Sequence, residues 1–208
     1  YKLPIGCDVP ETIILADGDF PSHPLALEWL RQCPYVVCCD GAANTYIRSG
    51  RMPEAIVGDG DSLLPDIKER YASLIHSEAE QETNDLSKAF RFCLSQERKR
   101  ITIMGATGKR EDHTIGNVSL LADYMEQAEV SMVTDYGIFV PIREDSMFES
   151  YIGQQISVFN MNSTALSAEG LAYPLSVFTN WWQGTLNEAL ARHFIIRTEG
   201  KVLVFRVF

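Results

Sequence analysis

Short apolar runs alternate with amphipathic segments over the first two thirds of the chain. The apolar runs, each typical of a buried strand, are residues 12–16, 35–39, 55–58, 74–76, 101–104 and 129–134. Apolar residues at helical spacing follow most of these runs, with helix-start signals such as Pro24, Pro65 and the potential N-cap residue Asn84. This alternation of strand and helix predicts a mostly parallel α/β sheet.

The pattern changes near residue 136. From Gly137 onward, short strand-like runs follow one another without helical patterns between them, and glycines punctuate the runs. The runs are residues 138–142, 147–152, 155–160, 164–168, 171–177, 193–198 and 201–207. They predict a small antiparallel sandwich or barrel. We therefore predict two domains, an α/β domain over residues 1–135 and a smaller β domain over residues 136–208.

Composition narrows the functional classes. The 208 residues carry a formal net charge of −10, which argues against non-specific nucleic-acid binding because such binding depends on Lys and Arg. No apolar stretch approaches the length of a membrane-spanning helix, so no membrane association is expected. The five cysteines are odd in number and irregularly spaced, which predicts a reduced, cytoplasmic protein.

Acidic or glycine-rich segments follow four of the predicted strands. They are Asp17-Gly18-Asp19, Asp40-Gly41, Asp59-Gly60-Asp61 and Gly105-Ala106-Thr107-Gly108. Because the carboxyl ends of parallel strands lie along one edge of a sheet, where ligands bind, we expect these segments to meet. Asp59 and Asp61 flank a glycine that permits a tight turn, so their carboxylates can converge as ligands for a Mg²⁺ ion that carries phosphates. Taken alone, an Asp-Gly-Asp segment is more often a solvated turn.

The segment from Gly105 to His113 lies between a predicted strand and a predicted helix. Its small residues leave backbone N–H groups free to face an anion, and Arg110 offers a planar fork for phosphate oxygens. It is not a Walker A loop, because Ile103 and Arg110 stand where that pattern needs Gly and Ser or Thr. Asp85, in the first turn of the preceding helix, is either a further functional carboxylate or an ordinary helix-start residue.

Trp181 and Trp182 are adjacent in the C-terminal half, ahead of a predicted loop at residues 183–188. Two tryptophans in this setting are either core residues or an aromatic platform for a flat, cationic ligand. The residues alone leave both interpretations open.

Six short motifs resemble, in their order along the chain, those of the thiamin pyrophosphokinase family. They are Asp40-Gly41-Ala42-Ala43-Asn44, 58–62, Asn84-Asp85 with Lys88-Ala89, 105–114, 170–175 and 184–188. The resemblance implies an N-terminal α/β catalytic domain that binds nucleotide and metal. It also implies a C-terminal β-sandwich for thiamine binding and dimerisation, and a homodimer with shared active sites. The implied reaction transfers the pyrophosphoryl group of ATP to the thiamine hydroxyl and gives thiamine diphosphate and AMP.

The resemblance also implies roles for single residues by matching position. Magnesium would be held by Asp40, Asp59, Asp61 and Asp85. ATP or its phosphates would be bound by Asp17, Gly18, Asn44, Thr107, Arg110 and Asp112. Thiamine would be bound by Gln81, Trp181, Trp182, Thr185 and Asn187. Catalysis would depend on Asp61, Asp85 and Arg110.

Three positions depart from the family pattern. Gly60 stands where the family often has a bulky aromatic residue, and Asn84 replaces a threonine. Leu186 replaces a serine that contacts the pyrimidine, although Thr185 offers a hydroxyl next to it. The last of these departures bears on substrate detail more than on the class of reaction.

Three other functions are compatible with parts of the sequence. A nucleotide-sugar glycosyltransferase could use Asp59 and Asp61 as its metal motif, but it leaves residues 184–188 unexplained. A pyrophosphokinase acting on a pterin alcohol would share the phosphate chemistry. A non-enzymatic nucleotide or thiamine sensor is disfavoured, because binding alone does not need so many clustered carboxylates.

Overall fold

The computed structural model of the protein describes residues 1–4, 8–77 and 82–208. The chain divides into two units. The first, called the α/β unit below, consists of Val9–Leu120 and Gln127–Asp135. The second, called the β unit, consists of Tyr1–Asp8, Leu121–Glu126 and Tyr136–Phe208. In the described part of the chain, no helix is long and apolar enough to cross a membrane.

A parallel sheet forms the centre of the α/β unit, as the alternation of strands and helices predicts. Its strands among the described residues are β1 (Ile13–Leu15), β2 (Val36–Cys39), β3 (Ala55–Gly58), β4 (Ile75–Ser77), β5 (Arg100–Met104) and β6 (Glu129–Val133). The strand order is β6-β5-β1-β2-β3-β4, and each neighbouring pair is parallel. The α-helices are α1 (Pro24–Gln32), α2 (Ala42–Arg48), α3 (Pro65–Arg70), α4 (Asp85–Ser95) and α5 (Glu111–Tyr124). The predicted α/β fold is therefore confirmed.

The sheet changes its direction of winding at β1. Strands β2, β3 and β4 extend it on one side, and β5 and β6 extend it on the other. In open parallel sheets, ligands bind beyond the carboxyl ends of the strands near such a switch point. The apolar residues of β1 are buried against their neighbours, so the strand ends that flank the switch point are held by a rigid core.

Local signals explain where the helices begin. Pro24 is the first residue of α1, where its fixed φ is suitable and its missing N–H is not needed. The side chain of Asn84 accepts a hydrogen bond from the backbone N–H of Ser87 at 2.9 Å, which confirms the predicted cap of α4. This cap determines where Asp85, the first residue of α4, lies.

Two antiparallel sheets make up the β unit. Its strands among the described residues are β7 (Gly137–Ile142), β8 (Ser146–Glu149), β9 (Gln155–Asn160), β10 (Leu166–Glu169), β11 (Asn187–Glu188), β12 (His193–Thr198) and β13 (Val202–Val207). One sheet has the order β11-β9-β13-β7 and the other the order β10-β12-β8. The guanidinium of Arg206 on β13 lies 5.1 Å from the ring centroid of Phe148 on β8, so the two sheets pack together. The predicted antiparallel β-sandwich is confirmed.

Two local predictions for the β unit are wrong. Residues 171–177 do not form a strand, and Leu171 makes only an isolated bridge to Ala189. Pro174 has no backbone N–H for a strand ladder, which explains the failure. Residues 187–188 lie in a predicted loop but form β11, which pairs with β9. A strand of two residues is too short to show an alternating pattern.

Gly184 lies too close to β9 to accept a side chain. A Cβ atom at this position would lie 1.8 Å from the carbonyl oxygen of Val158. We expect Gly184→Ala to lower the free energy of unfolding by about 1–3 kcal/mol, because overpacking forces backbone shifts. Gly116→Ala is the control, since nothing lies within 4 Å of its added Cβ atom and alanine favours a helix. Urea unfolding checks the prediction, and a Gly184→Ala protein as stable as its parent would contradict it.

Candidate functional site

A cavity of about 520 Å³ opens at the carboxyl ends of the parallel strands. Its lining comes from the segments that follow β1, β3 and β5, and from the start of α4. The predicted site residues that line it are Asp17, Gly18, Asp59, Asp61, Asp85, Thr107 and Arg110. The strand ends therefore meet, as a parallel arrangement requires. The volume falls in the usual range for small-molecule sites.

Asp40, Asp59 and Asp61 form a group of three carboxylates at this edge of the sheet. One oxygen of each lies within 4.8 Å of the other two. Asp40 is buried, whereas Asp59 and Asp61 are exposed. Backbone N–H groups hold the arrangement, since Asp61 donates to Asp59 Oδ1 at 3.2 Å and Ser62 donates to Asp40 Oδ2 at 3.1 Å. We call these three residues the carboxylate cluster.

The electrostatics of the carboxylate cluster are suited to a cation. Burial raises the pKa of Asp40 to about 6, and the neighbouring acids Asp61, Asp85 and Asp59 contribute to the rise. In the described structure, Asp40 Oδ1 is buried and has no hydrogen-bond partner. A hydrogen bond from the backbone of Asp61 lowers the pKa of Asp59, which favours its charged form. An oxygen-only donor set with one unpaired buried oxygen fits Mg²⁺, which prefers oxygen ligands.

Gly58 leaves room for the acids of the site. A Cβ atom on Gly58 would lie 2.8 Å from Asp40 Cβ and 3.4 Å from Asp85 Cγ. The absence of a side chain therefore lets both carboxylates approach the end of β3. This is the close approach for which glycine is required.

Asn44 acts on the loop that carries Asp59 and Asp61 rather than on the cavity itself. Its Nδ2 donates to the carbonyl of Ser62 at 2.8 Å, and its Oδ1 accepts the N–H of Leu64 at 3.0 Å. Asn44 is not among the residues that line the described cavity. Its amide therefore holds the loop next to α2.

Asp85 lies outside the group of three carboxylates and is paired with a lysine. Its Oδ1 accepts a hydrogen bond from Lys88 Nζ at 3.1 Å. The lysine side chain is 4% exposed, whereas that of Asp85 is 36% exposed and also lines the cavity. The cavity thus has a buried cation next to one of its acids.

Two basic side chains from the segment after β5 line the same cavity. Lys109 Nζ lies 3.1 Å from Asp17 Oδ1. Arg110 donates twice to Asp112, from Nε to Oδ1 at 3.1 Å and from Nη2 to Oδ2 at 2.6 Å, and this contact lowers the pKa of Asp112. Asp112 itself does not line the described cavity. Exposed pairs of this kind contribute little to stability, so a phosphate can replace the carboxylates at small cost.

The backbone segments after β1 and β5 touch each other at Gly18. Its N–H donates to the carbonyl of Gly105 at 2.6 Å. A Cβ atom on Gly18 would lie 2.4 Å from the carbonyl oxygens of Gly105 and Thr107. Only glycine permits this contact, which brings Asp17 and Lys109 together.

The predicted thiamine residues of the described chain belong to the β unit, and Gln81 lies outside the described residues. Trp182 is 73% exposed and Trp181 is 44% exposed, so the interpretation of both as core residues is wrong. Trp181 packs edge-on against Phe159 at 6.1 Å between ring centroids. Thr185 Oγ1 donates to the carbonyl of Trp182 at 2.7 Å. Because its side chain is so exposed, Trp182 offers an open aromatic face.

Asn187 is engaged in holding the backbone of the β unit. It is buried, its Oδ1 accepts the N–H of Tyr173 at 3.0 Å, and its Nδ2 donates to the carbonyl of Tyr173 at 2.8 Å. These two bonds fix the segment around Pro174 against β11. The amide has at most one remaining donor hydrogen for a ligand.

Two family models match the chain. The thiamin pyrophosphokinase catalytic domain matches residues 26–134, and the thiamin pyrophosphokinase substrate-binding domain matches residues 137–205. The first match alone covers more than half of the chain. The chain belongs to the thiamin pyrophosphokinase family. The carboxylate cluster, Asp85, Lys109 and Arg110 all lie in the segment matched by the catalytic model.

Individual relatives support the family assignment. Thiamine pyrophosphokinase 1 of Oryza sativa subsp. japonica is 30% identical over an alignment of 129 residues, with coverage of 50% of this chain and 49% of that protein. Thiamin pyrophosphokinase 1 of Caenorhabditis elegans is 31% identical over an alignment of 110 residues, with coverage of 49% of this chain and 45% of that protein. The chain spans about half the length of these curated relatives.

Solved structures support the fold. A crystal structure of thiamine pyrophosphokinase from Bacillus subtilis matches with a TM-score of 0.78 at 21% identity. The match covers 94% of this chain and 98% of the Bacillus subtilis chain. A crystal structure of yeast thiamin pyrophosphokinase matches with a TM-score of 0.78 at 16% identity. The match covers 98% of this chain and 88% of the yeast chain. At these identities, the two matches show a shared fold. The family models and curated relatives do not favour the glycosyltransferase or pterin alternatives.

Sequence reasoning did not predict every residue that lines the cavity. Lys88, Lys109 and Asn117 are among those that it missed. Asn117 accepts a hydrogen bond from Asn84 Nδ2 at 3.1 Å and donates to the carbonyl of Ala106 at 2.9 Å, so it ties the start of α4 to the segment after β5. Lys88 follows Asp85 by three residues, and this helical spacing is the signal that could have revealed it.

The raised pKa of Asp40 predicts that any metal binding at the carboxylate cluster depends on pH. The raised pKa of Asp40 means that folding favours the neutral form of this acid. The contribution of Asp40 to the free energy of unfolding is therefore present at low pH and is lost as the pH rises from 3.8 to about 6. Metal binding needs the charged form. We therefore expect Mn²⁺ affinity, measured by calorimetry, to be about fourfold weaker at pH 5.5 than at pH 7.5 from this ionisation alone.

Two variants identify the titrating group. Asp40→Asn should weaken Mn²⁺ binding at both pH values and reduce the difference between them. His113→Gln changes an imidazole that lines the same cavity and should keep the difference. If His113→Gln abolishes the pH dependence while Asp40→Asn keeps it, the assignment to Asp40 is wrong.

Proposed function

We propose that this chain is a Mg²⁺-dependent thiamine diphosphokinase. The thiamine hydroxyl oxygen attacks the β-phosphorus of ATP, the bond from that phosphorus to the α,β-bridging oxygen breaks, and AMP leaves. The hydroxyl proton passes to solvent. One observation carries the proposal: a single cavity at the carboxyl edge is lined by acids on one set of strand ends and by Lys109 and Arg110 on another.

The carboxylate cluster provides a magnesium site in this proposal. Asp40, Asp59 and Asp61 would hold the ion with Asp85 next to them, and the ion would supply positive charge for the phosphates of ATP. The unpaired Asp40 Oδ1 atom supports this role. The loop bonds from Asn44 keep the acids in place, so Asn44 contributes to nucleotide binding through the loop.

The segment after β5 provides the phosphate site. Arg110 exchanges its two hydrogen bonds with Asp112 for two with phosphate oxygens, and Asp17 keeps Lys109 at the cavity until ATP arrives. Gly18 and Thr107 contribute by letting the two backbone segments touch. Phosphoryl transfer needs mainly alignment and charge neutralisation, which these groups supply.

The β unit provides the thiamine contacts in this proposal. The exposed face of Trp182 is suited to a flat cationic ring, and Thr185 and Asn187 lie close to it in sequence. Trp181 supports this segment through Phe159. Residues 136–208 would thus bind substrate, and residues 1–135 would bind ATP and metal.

We further propose a homodimer with shared active sites in the cytoplasm. The support is the family resemblance, the exposed apolar side chains Tyr173, Trp182 and Leu186, and the free thiols of the four described cysteines. Sedimentation velocity tests the dimer, and a monomer at working concentration would refute it.

The decisive assay uses ATP, Mg²⁺ and a panel of alcohols that includes thiamine and a pterin alcohol. Among the alcohols tested, only thiamine should react, and mass spectrometry should then show AMP and thiamine diphosphate in equal amounts. Release of ADP instead of AMP, or equal turnover of the pterin alcohol, would contradict the proposal. Omission of Mg²⁺ with added chelator should abolish both products.

Arg110 offers a sharper test of the phosphate site. We expect Arg110→Lys to lower kcat/KM for ATP by about tenfold or more, because an ammonium group cannot replace a planar fork on phosphate oxygens. Arg48→Lys is the matched control, since Arg48 is exposed at the end of α2 and does not line the cavity. Steady-state kinetics check the prediction. Unchanged kinetics in Arg110→Lys would remove Arg110 from the site.

A further inference from the structure

Lys88 stands at a position that is unfavourable for a cation unless it has a specific task. It lies in the first turn of α4, where the helix dipole disfavours positive charge. Its side chain is only 4% exposed, and burial of an ammonium group is costly without a partner. Leucine or methionine would fill the same space without either cost.

The surroundings of Lys88 suggest what that task is. Its ammonium group bonds to Asp85 at 3.1 Å, and it lines the same cavity as Asp59 and Asp61. Asp17 is paired with Lys109, which leaves the four carboxylates of Asp85 and the carboxylate cluster, and one Mg²⁺ neutralises only two of their charges. ATP adds several negative charges, so the site needs a cation that stays in place whether or not metal is bound.

We propose that Lys88 is the internal counter-ion of the site, a positioning residue that weakens binding of the free metal and strengthens binding of metal-bound nucleotide. The ammonium group repels a divalent ion because both are positive. It attracts the polyphosphate because the two have opposite charge. The identification of these ligands as Mg²⁺ and ATP rests on the proposed function.

The proposal predicts effects of opposite sign from one substitution. Lys88→Met keeps the volume of the side chain and removes its charge. Mn²⁺ binding without nucleotide, measured by electron paramagnetic resonance, should become about tenfold tighter. Binding of α,β-methylene-ATP, which cannot transfer its pyrophosphoryl group, should become about tenfold weaker at saturating Mg²⁺.

A purely structural lysine would give a different result. If Lys88 only packs against its neighbours, its replacement would displace Asp85 and weaken the binding of both Mn²⁺ and the ATP analogue. If Lys88 has no role at the site, its replacement would change neither affinity. Either result would overturn the proposal. Lys99→Met is the matched control, because Lys99 is exposed and lies outside the lining of the cavity. Both affinities should stay within about twofold of the parent in this control.

Two controls ensure that neither misfolding nor turnover of the nucleotide accounts for a change in affinity. Lys88→Gln is compared in parallel, and thermal melting confirms that each protein is folded. If neither Lys88 variant folds, the lysine is a requirement of folding and the proposal is overturned. Thiamine is absent from both binding measurements. A wild-type protein that binds Mn²⁺ and the ATP analogue but makes no thiamine diphosphate would refute the proposed function and leave this inference intact.

Discussion

Mutual repulsion among carboxylates is the constraint on which this site depends. Asp40, Asp59 and Asp61 bring oxygens within 4.8 Å of one another, and Asp40 does so from a buried position with its pKa raised to about 6. Water cannot fully screen a buried acid, so Asp40 either takes up a proton or, in its charged form, needs a nearby cation to offset its charge. The bonds from Ser62 and Asn44, together with the missing side chain of Gly58, hold the acids close despite this repulsion.

The parallel sheet is what brings these groups together. Residues 17 and 110 are far apart in sequence, yet both follow strands that lie side by side at the switch point of the sheet. Gly18 then brings the two segments into backbone contact. The acids after β3 and the basic residues after β5 therefore share one cavity because of strand order, and short loops on a buried sheet keep them there.

The sequence predicts the α/β fold well because its strands are apolar runs that end in Asp or Gly, and such runs are distinctive. For the same reason it predicts that Asp59, Asp61 and Arg110 lie at one edge of the sheet, where they line the cavity. It fails at residues 171–177, where apolar composition suggested a strand that Pro174 prevents, and at β11, which only long-range pairing with β9 defines. Asn117 was missed because its role depends on contacts with Asn84 and Ala106, which follow from tertiary packing and leave no local pattern. Lys88 follows Asp85 at helical spacing, but that spacing does not reveal that its side chain is buried at the cavity.

The central claim is that the carboxylate cluster binds a divalent cation. Anomalous diffraction from crystals grown with Mn²⁺ and α,β-methylene-ATP tests this claim most directly. The account predicts an anomalous peak at about 2.0–2.3 Å from carboxylate oxygens of Asp40, Asp59 and Asp61, a distance typical of small divalent cations. A well-occupied peak elsewhere in the protein, with these three acids bound only to water, would contradict it.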